Sequence, residues 1–149
     1  MIKPISFKDI LPLWTNCLWP NRVSKIEPTS CLKFLGGIDM TLTKSRPSFW
    51  GFYVGDQLTG VCSGFLSSST KYRVRGLYVD ERFRRQGQAQ SLFRACEKQA
   101  LKESASALWS LPRRSAWGVY ERFKFERVSD WLDEFEFGPN CFAIKIIGQ

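Results

Sequence analysis

Over residues 7–20 the apolar positions Ile10, Leu11, Leu13, Trp14, Leu18 and Trp19 recur at roughly helical spacing. The pattern predicts a helix that Pro20 stops, behind a first strand near residues 2–6. Residues 27–37 repeat the scheme in short form, with Thr29 or Ser30 as cap, Leu32, Phe34 and Leu35 as the apolar part, and Gly36-Gly37 as terminator. A second, short helix is predicted there, followed by loop to about Pro47. Residues 48–68 then hold two runs rich in aromatic and β-branched residues joined at Gly55-Asp56, the composition of a tight hairpin. Residues 71–79 read as a third strand, and Ala89, Leu92, Phe93, Cys96 and Ala100 mark one face of a helix running to about Glu103. A short strand from Ala107, a short helix over 114–123, and two strands over 125–137 and 141–147, broken by Gly138, Pro139 and Asn140, complete the chain. Mixed elements with a hairpin ahead of the third strand predict a three-layer α+β domain around one sheet.

The 149 residues fit one domain spanning 1–149. With 44% hydrophobic, 24% charged and 15% aromatic residues, the chain is globular rather than disordered. No apolar run approaches the ~18 residues of a membrane helix, and the first residues lack the pattern of a secretory signal, so a soluble cytoplasmic protein without a membrane partner is expected. Five cysteines show no CxxC pair, and histidine is absent, so no metal site is expected and the cysteines read as small buried hydrophobes. Without histidine, proton transfer must use Tyr, Asp, Glu, Lys, Cys, water or the substrate. The net charge of +8 favours anionic partners, nucleic acid and phosphorylated cofactors alike.

One stretch narrows that choice. In "LYVDERFRRQGQAQSLF", residues 77–93, a strand hands over to a helix through a turn crowded with Arg82, Arg84 and Arg85 and containing Gly87. The first N–H groups of a helix lack partners and lie at its positive end, so such a turn suits an anion. Gly87, without a Cβ, lets backbone approach a pyrophosphate, small Ala89 leaves room, and the arginines add charge-assisted bonds.

The string Arg84-Arg85-Gln86-Gly87-Gln88-Ala89 resembles the R/Q-x-x-G-x-G/A signature of the GNAT superfamily of N-acetyltransferases. The hairpin "VGDQLTG" and the strand "LYVDERF" before it, and "SAWGVYERFKF" after it, resemble that family's flanking motifs, so the resemblance spans about residues 49–125. Lys124 departs from the family's Gly before the terminal Phe, and Arg113 stands where an Asn often lies near the cofactor. The resemblance implies a three-layer α/β/α fold with one mixed, mostly antiparallel central sheet. It implies acetyl-CoA as acyl donor, its pyrophosphate at Arg84 to Ala89, its pantetheine arm along Leu77, Tyr78 and Val79 through the peptide groups of Leu77 and Val79, and Arg113 close by.

The thioester would then lie near Tyr120, the candidate catalytic acid for the departing thiolate; otherwise Tyr120 is a core residue packed on Trp117 or Phe123. The strand where relatives often carry a basic Glu reads "KYRVRGL" instead. A water chain, an amine arriving neutral, or Asp39, Asp80, Glu81 or Asp130 stay open as routes for the proton. Arg73 and Arg75, two apart on a strand, share a face and either receive an acidic substrate or line a solvated surface. The implied reaction is acetyl transfer to a primary amine by direct attack in a ternary complex, with an unidentified acceptor. A relay through Cys62 or Cys96 has no recognisable base beside it. The alternatives are an acyl-CoA-binding module that transfers nothing, and a nucleic-acid binder; the second is disfavoured because "RGLYV" lacks the aromatic spacing of an RNP1 motif. Homodimerisation is left open.

Overall fold

The computed structural model describes residues 1–148. Strands β1 (Ile2–Ile5), β2 (Ser48–Val54), β3 (Gln57–Leu66), β4 (Lys71–Val79), β5 (Ala107–Ser110), β6 (Glu126–Arg127) and β7 (Ala143–Ile146) form one sheet in the order β1-β2-β3-β4-β5-β7-β6. Every neighbouring pair is antiparallel except β4 and β5. Helix α1 (Phe7–Leu13) follows β1, α2 (Gln88–Lys102) joins β4 to β5, and α3 (Trp117–Arg122) follows β5. The chain is an α+β protein with helices on both faces of a mixed sheet.

Alternation along β3 assigns the layers. Cys62 faces a core made with Leu92, Phe93 and Cys96 of α2 and Tyr120 of α3, while its neighbour Val61 faces Ile10 and Trp14 on the other side. Along β4, Tyr72 and Val74 belong to the α2 side. Arg73 and Arg75 therefore share the α1 side, as their spacing predicts.

Helix α1 opens on a capping box in which the Ser6 hydroxyl accepts the Asp9 N–H and the Asp9 carboxylate accepts the Ser6 N–H. Pro12 interrupts its ladder, and the next turn, Trp14–Leu18, is a π turn closed by the Trp19 N–H donating to the Trp14 carbonyl (2.8 Å). That wider turn directs both tryptophans toward β4.

Three expectations are corrected. Residues 27–37 form no helix; Leu32 bridges Ile38, and Leu35, Gly36 and Gly37 turn through positive φ. Phe34 packs on Trp109 (5.5 Å) and Phe142 (6.1 Å), and so few apolar positions cannot carry a helix face. The strand expected over 125–137 is reduced to β6. Its aromatic residues fold back instead, Trp131 on Trp117 (6.2 Å) and Phe135 on Phe142 (6.3 Å), leaving the intervening acids in solvent. Residues Met40–Lys44, expected as loop, make a short 3-10 helix capped by Asp39.

Candidate active site

Strand β4 pairs with β5 only at Lys71, Tyr72 and Arg73; beyond that the two parallel strands part. Just past the fork the Ser110 hydroxyl takes over the ladder's role by donating to the Val74 carbonyl (2.8 Å). On the other flank, β3 and β4 slip register between Val61↔Tyr78 and Ser63↔Arg75, so that Gly76 and Leu77 oppose Cys62 alone. This bulge needs glycine: Gly76 has φ +70, and a Cβ there would lie 2.3 Å from the Trp14 ring. The Trp14 indole N–H donates to the Gly76 carbonyl (2.8 Å), so the π turn and the bulge hold each other. Leu77 thereby ends beside the gap, where β4 has no neighbour on its β5 side.

Beyond Val79 the chain makes one turn, Glu81–Phe83, capped by Asp80, and enters α2. Arg85 (φ 65) and Gly87 (φ 83) take left-handed conformations on either side of Gln86. The N–H groups of residues 85–90 donate to no backbone carbonyl and lie at the positive end of a 15-residue helix, a concave set of donors suited to a pyrophosphate. Nothing lies within 4 Å of a Cβ built on Gly87, so its open side is available to a ligand. The side chains divide in two groups. Arg84 folds back, its Nε donating to the Val79 carbonyl (2.8 Å) and its guanidinium lying over Tyr78 (5.8 Å). Gln88 is buried and accepts the Thr59 hydroxyl (3.0 Å), so it offers a ligand only its backbone, whereas Arg85 and Gln86 are exposed.

Tyr120 stands on α3 opposite this edge, with its ring packed on Phe93 (5.0 Å) and Phe125 (5.5 Å). The helix ends in a Schellman turn: the Phe125 N–H donates to the Tyr120 carbonyl (3.2 Å) and the Lys124 N–H to that of Glu121 (2.9 Å). Lys124 takes φ 76, the conformation that glycine favours at this position. The ring partners differ from Trp117 and Phe123, the expected neighbours: Trp117 lies against Trp131, and Phe123 against Phe93 and Phe125. The Tyr120 ring is therefore a core residue, while the residue also lines a cavity with Ser110, Arg73 and Arg113. Burial raises its pKa above the usual phenol value, with the Cys62 thiol adding to the rise; Ser110, Arg73 and Arg113 pull the other way.

The cavity, about 360 Å³, opens between the parted strands, α3 and the segments around residues 18–24 and 135–140. Four arginines line it, Arg22, Arg73, Arg75 and Arg113, against one carboxylate, Glu136. Arg73 and Arg75 are 8% and 5% exposed, so a solvated face is ruled out for them. Arg75 lies over Trp14 (4.9 Å) and Trp19 (5.2 Å) and donates to the Glu27 carbonyl (2.9 Å), while Arg73 lies over Trp109 (4.9 Å). Desolvation pushes the Arg73 pKa down to about 10 and moves Arg75 in the same direction. Arg113 donates to the Leu18 carbonyl (2.6 Å) and stacks on Phe137 (4.9 Å), which ties the cavity wall together.

None of the expected carboxylates, Asp39, Asp80, Glu81 and Asp130, lines this cavity. Asp80 pairs with Arg82 (3.1 Å), and Asp39 holds the Met40–Lys44 turn. Glu136, whose carboxylate accepts the Val23 N–H (2.9 Å), was not singled out in the sequence, because an exposed glutamate among other acids carries no local signal. Gly76 did carry one, since an isolated glycine inside a strand pattern marks a bulge. Cys62 and Cys96 face each other in the core (3.8 Å) away from the cavity lining, and the Cys96 thiol is held above its usual pKa by its bond to Cys62 and by burial, so the relay has no support.

The model of the Acetyltransferase (GNAT) family matches residues 13–125. No curated protein sequence matches the chain. Among solved structures, Ard1 from Thermoplasma volcanium superposes with a TM-score of 0.71 at 18% identity, covering 100% of this chain and 98% of that one. A GNAT family acetyltransferase from Elizabethkingia anophelis with acetyl-CoA bound gives 0.68 at 12% identity over 99% and 97% of the two chains. The PaiA N-acetyltransferase from Thermoplasma acidophilum in complex with coenzyme A gives 0.59 at 15% identity over 72% and 65%. Likeness at these identities concerns the fold.

Proposed function

Since the chain belongs to the GNAT acetyltransferase family, whose general reaction is N-acyl transfer, we propose that it moves an acetyl group from acetyl-CoA to a primary amine by direct attack within a ternary complex. The observation that carries this reading is the alignment of three features along one path. Strand β4 leaves the cavity that Leu77 and Tyr120 line, runs on without β5 as a neighbour, and leads to the helix N-terminus whose N–H groups donate to no backbone carbonyl. Acetyl-CoA needs them in that order, thioester first, pantetheine next and phosphates last.

In this reading the backbone of residues 85–89 receives the pyrophosphate, with Arg85 adding charge and Arg84 bracing the end of β4. Leu77, Tyr78 and Val79 offer the unpaired edge to the pantetheine amides, and Arg113 steadies the wall opposite. The amine nitrogen attacks the thioester carbonyl carbon, the carbon–sulfur bond breaks, and the thiolate takes the proton of the Tyr120 phenol. Before attack the acceptor ammonium loses one proton to water or to Glu136, the carboxylate on the cavity lining; a second proton leaves the nitrogen by the same route as the amide forms, and the phenolate is reprotonated from solvent.

The donor site is tested by calorimetry with CoA. Gly87→Trp strains a left-handed position and fills the open side, so affinity should fall roughly tenfold or more. Lys102→Ala, at the exposed far end of α2, should bind as the wild type does. Equal affinities in the two variants would overturn the assignment of the phosphate site.

A further inference from the structure

We propose that the acceptor is a small amine of amino-acid or dipeptide size that carries a carboxylate, and that Arg73 and Arg75 hold this carboxylate. The inference rests on the acetyl-transfer reading and names the substrate class of the same site.

Both guanidinium groups are buried without a counter-ion. The ion pairs among the described residues are Lys25–Glu27, Arg82–Asp80 and Lys145–Glu97, and none involves Arg73 or Arg75. The Nε and Nη1 of Arg73 are buried and find no acceptor at all. Buried charge is strongly unfavourable unless paired, and both groups lack a counter-ion; buried donors are almost always satisfied, and those of Arg73 are not, so beside a cavity the two mark a ligand's place. The ligand is an anion, because guanidinium groups are pure donors and their planar fork matches a carboxylate.

The two side chains are also held ready. Arg75 is fixed by two tryptophan faces and the Glu27 carbonyl, and Arg73 by Trp109, so binding a carboxylate orders little that is not already ordered. These arginines do not serve the donor's phosphates. Those belong at residues 85–89, past the far end of β4, whereas Arg73 sits at the fork with β5. Arg73, Arg75 and Tyr120 line one cavity, so a molecule whose carboxylate meets the arginines can present its amine toward the thioester. The volume of about 360 Å³ lies at the small end of ligand sites, which selects a small molecule over a folded partner. Glu136, near Arg22, leaves the cavity positive on balance and gives an incoming ammonium a partner of its own.

The test uses matched acceptors on the wild-type protein: amino acids such as glutamate, leucine and glycine, each against its own α-carboxamide, with spermidine as a cation lacking carboxylate. Thiol release from acetyl-CoA is followed, and acetylated amine is identified by mass. At least one free acid should exceed its amide by roughly a hundredfold in kcat/KM, the difference made by leaving a buried charge unpaired. Arg73→Gln and the charge-preserving Arg73→Lys should both raise KM for that acid by far more than KM for its amide. If amides or spermidine are acetylated as well as every acid, the carboxylate assignment is wrong while acetyl transfer stands. If the variants lower kcat equally for acid and amide, the arginines serve the chemistry or the fold, and the assignment is again wrong. CoA binding with no thiol release for any amine overturns the acetyl-transfer reading, and this inference with it.

Discussion

A phenol assists a departing thiolate only while it still carries its proton, and Tyr120 is placed to keep it. Burial among Phe93 and Phe125 raises its pKa above the usual value near 10, so the neutral form persists through the alkaline range in which free tyrosine ionises. Tyr120→Phe retains the ring packing and removes the proton. Turnover should fall by about 10² to 10⁴, the range typical of acid–base groups, with CoA affinity from calorimetry unchanged; unaltered turnover would return Tyr120 to a purely structural role. Arg73 titrates in the opposite sense. Its pKa is pushed down to about 10, so it is charged below that pH and loses its charge above it. KM for a carboxylate acceptor should therefore rise as pH passes about 10, whereas KM for the matching amide should show no such rise. A pH series of initial rates with both acceptors reads this directly.

At the scale of elements, two local devices put these residues in place. The Schellman turn after α3 brings Phe125 onto Tyr120, yet it uses Lys124 where glycine is easier. Lys124→Gly relieves a left-handed lysine and should stabilise the protein by up to about 1 kcal/mol in denaturant unfolding, with activity preserved; a loss of stability would contradict the account of this turn. The bulge at Gly76 is less forgiving. Gly76→Ala sets a Cβ against the Trp14 indole in an already left-handed position, at a cost of about 2–4 kcal/mol, and should reduce turnover through the displaced Leu77 edge. These elements also show why legibility was uneven. The hairpin at Gly55-Asp56, β4 and α2 declare themselves through strict periodicity and turn chemistry. The stretch 27–37 has capping residues and glycines but only Leu32, Phe34 and Leu35 to bury, and tertiary packing of Phe34 decided it. The aromatic residues after β6 mimic a strand pattern, while their partners Trp117 and Phe142 come from distant parts of the chain.

For the whole molecule, the sign of the charge was plain in the sequence and its location was not. Spacing alone places Arg73 and Arg75 on one face, but Arg75 is covered by Trp14 and Trp19 arriving from the π turn after α1, and Arg73 by Trp109 of β5. The glycine turn with its basic residues was legible as a candidate anion site because a helix N-terminus is local in sequence; the cavity is assembled from segments spanning residues 18 to 140 and left no local trace. Burial also changes the expected response to salt. The exposed Arg85 and much of the net charge of +8 act across solvent, so CoA association should weaken as the screening length shrinks from ~30 Å at 0.01 M to ~8 Å at 0.15 M. Preference for a carboxylate acceptor, set by buried groups, should persist over the same range; stopped-flow CoA binding and acceptor rates at both salt concentrations separate the two.

The central claim is direct transfer of acetyl from acetyl-CoA to an amine in a ternary complex, and initial rates measured while both substrates are varied test it most directly. The expected double-reciprocal lines intersect, with acetylated amine formed in step with free thiol. Parallel lines would indicate an acetyl-enzyme, and CoA binding without any thiol release would make the protein a binding module; either result contradicts the mechanism.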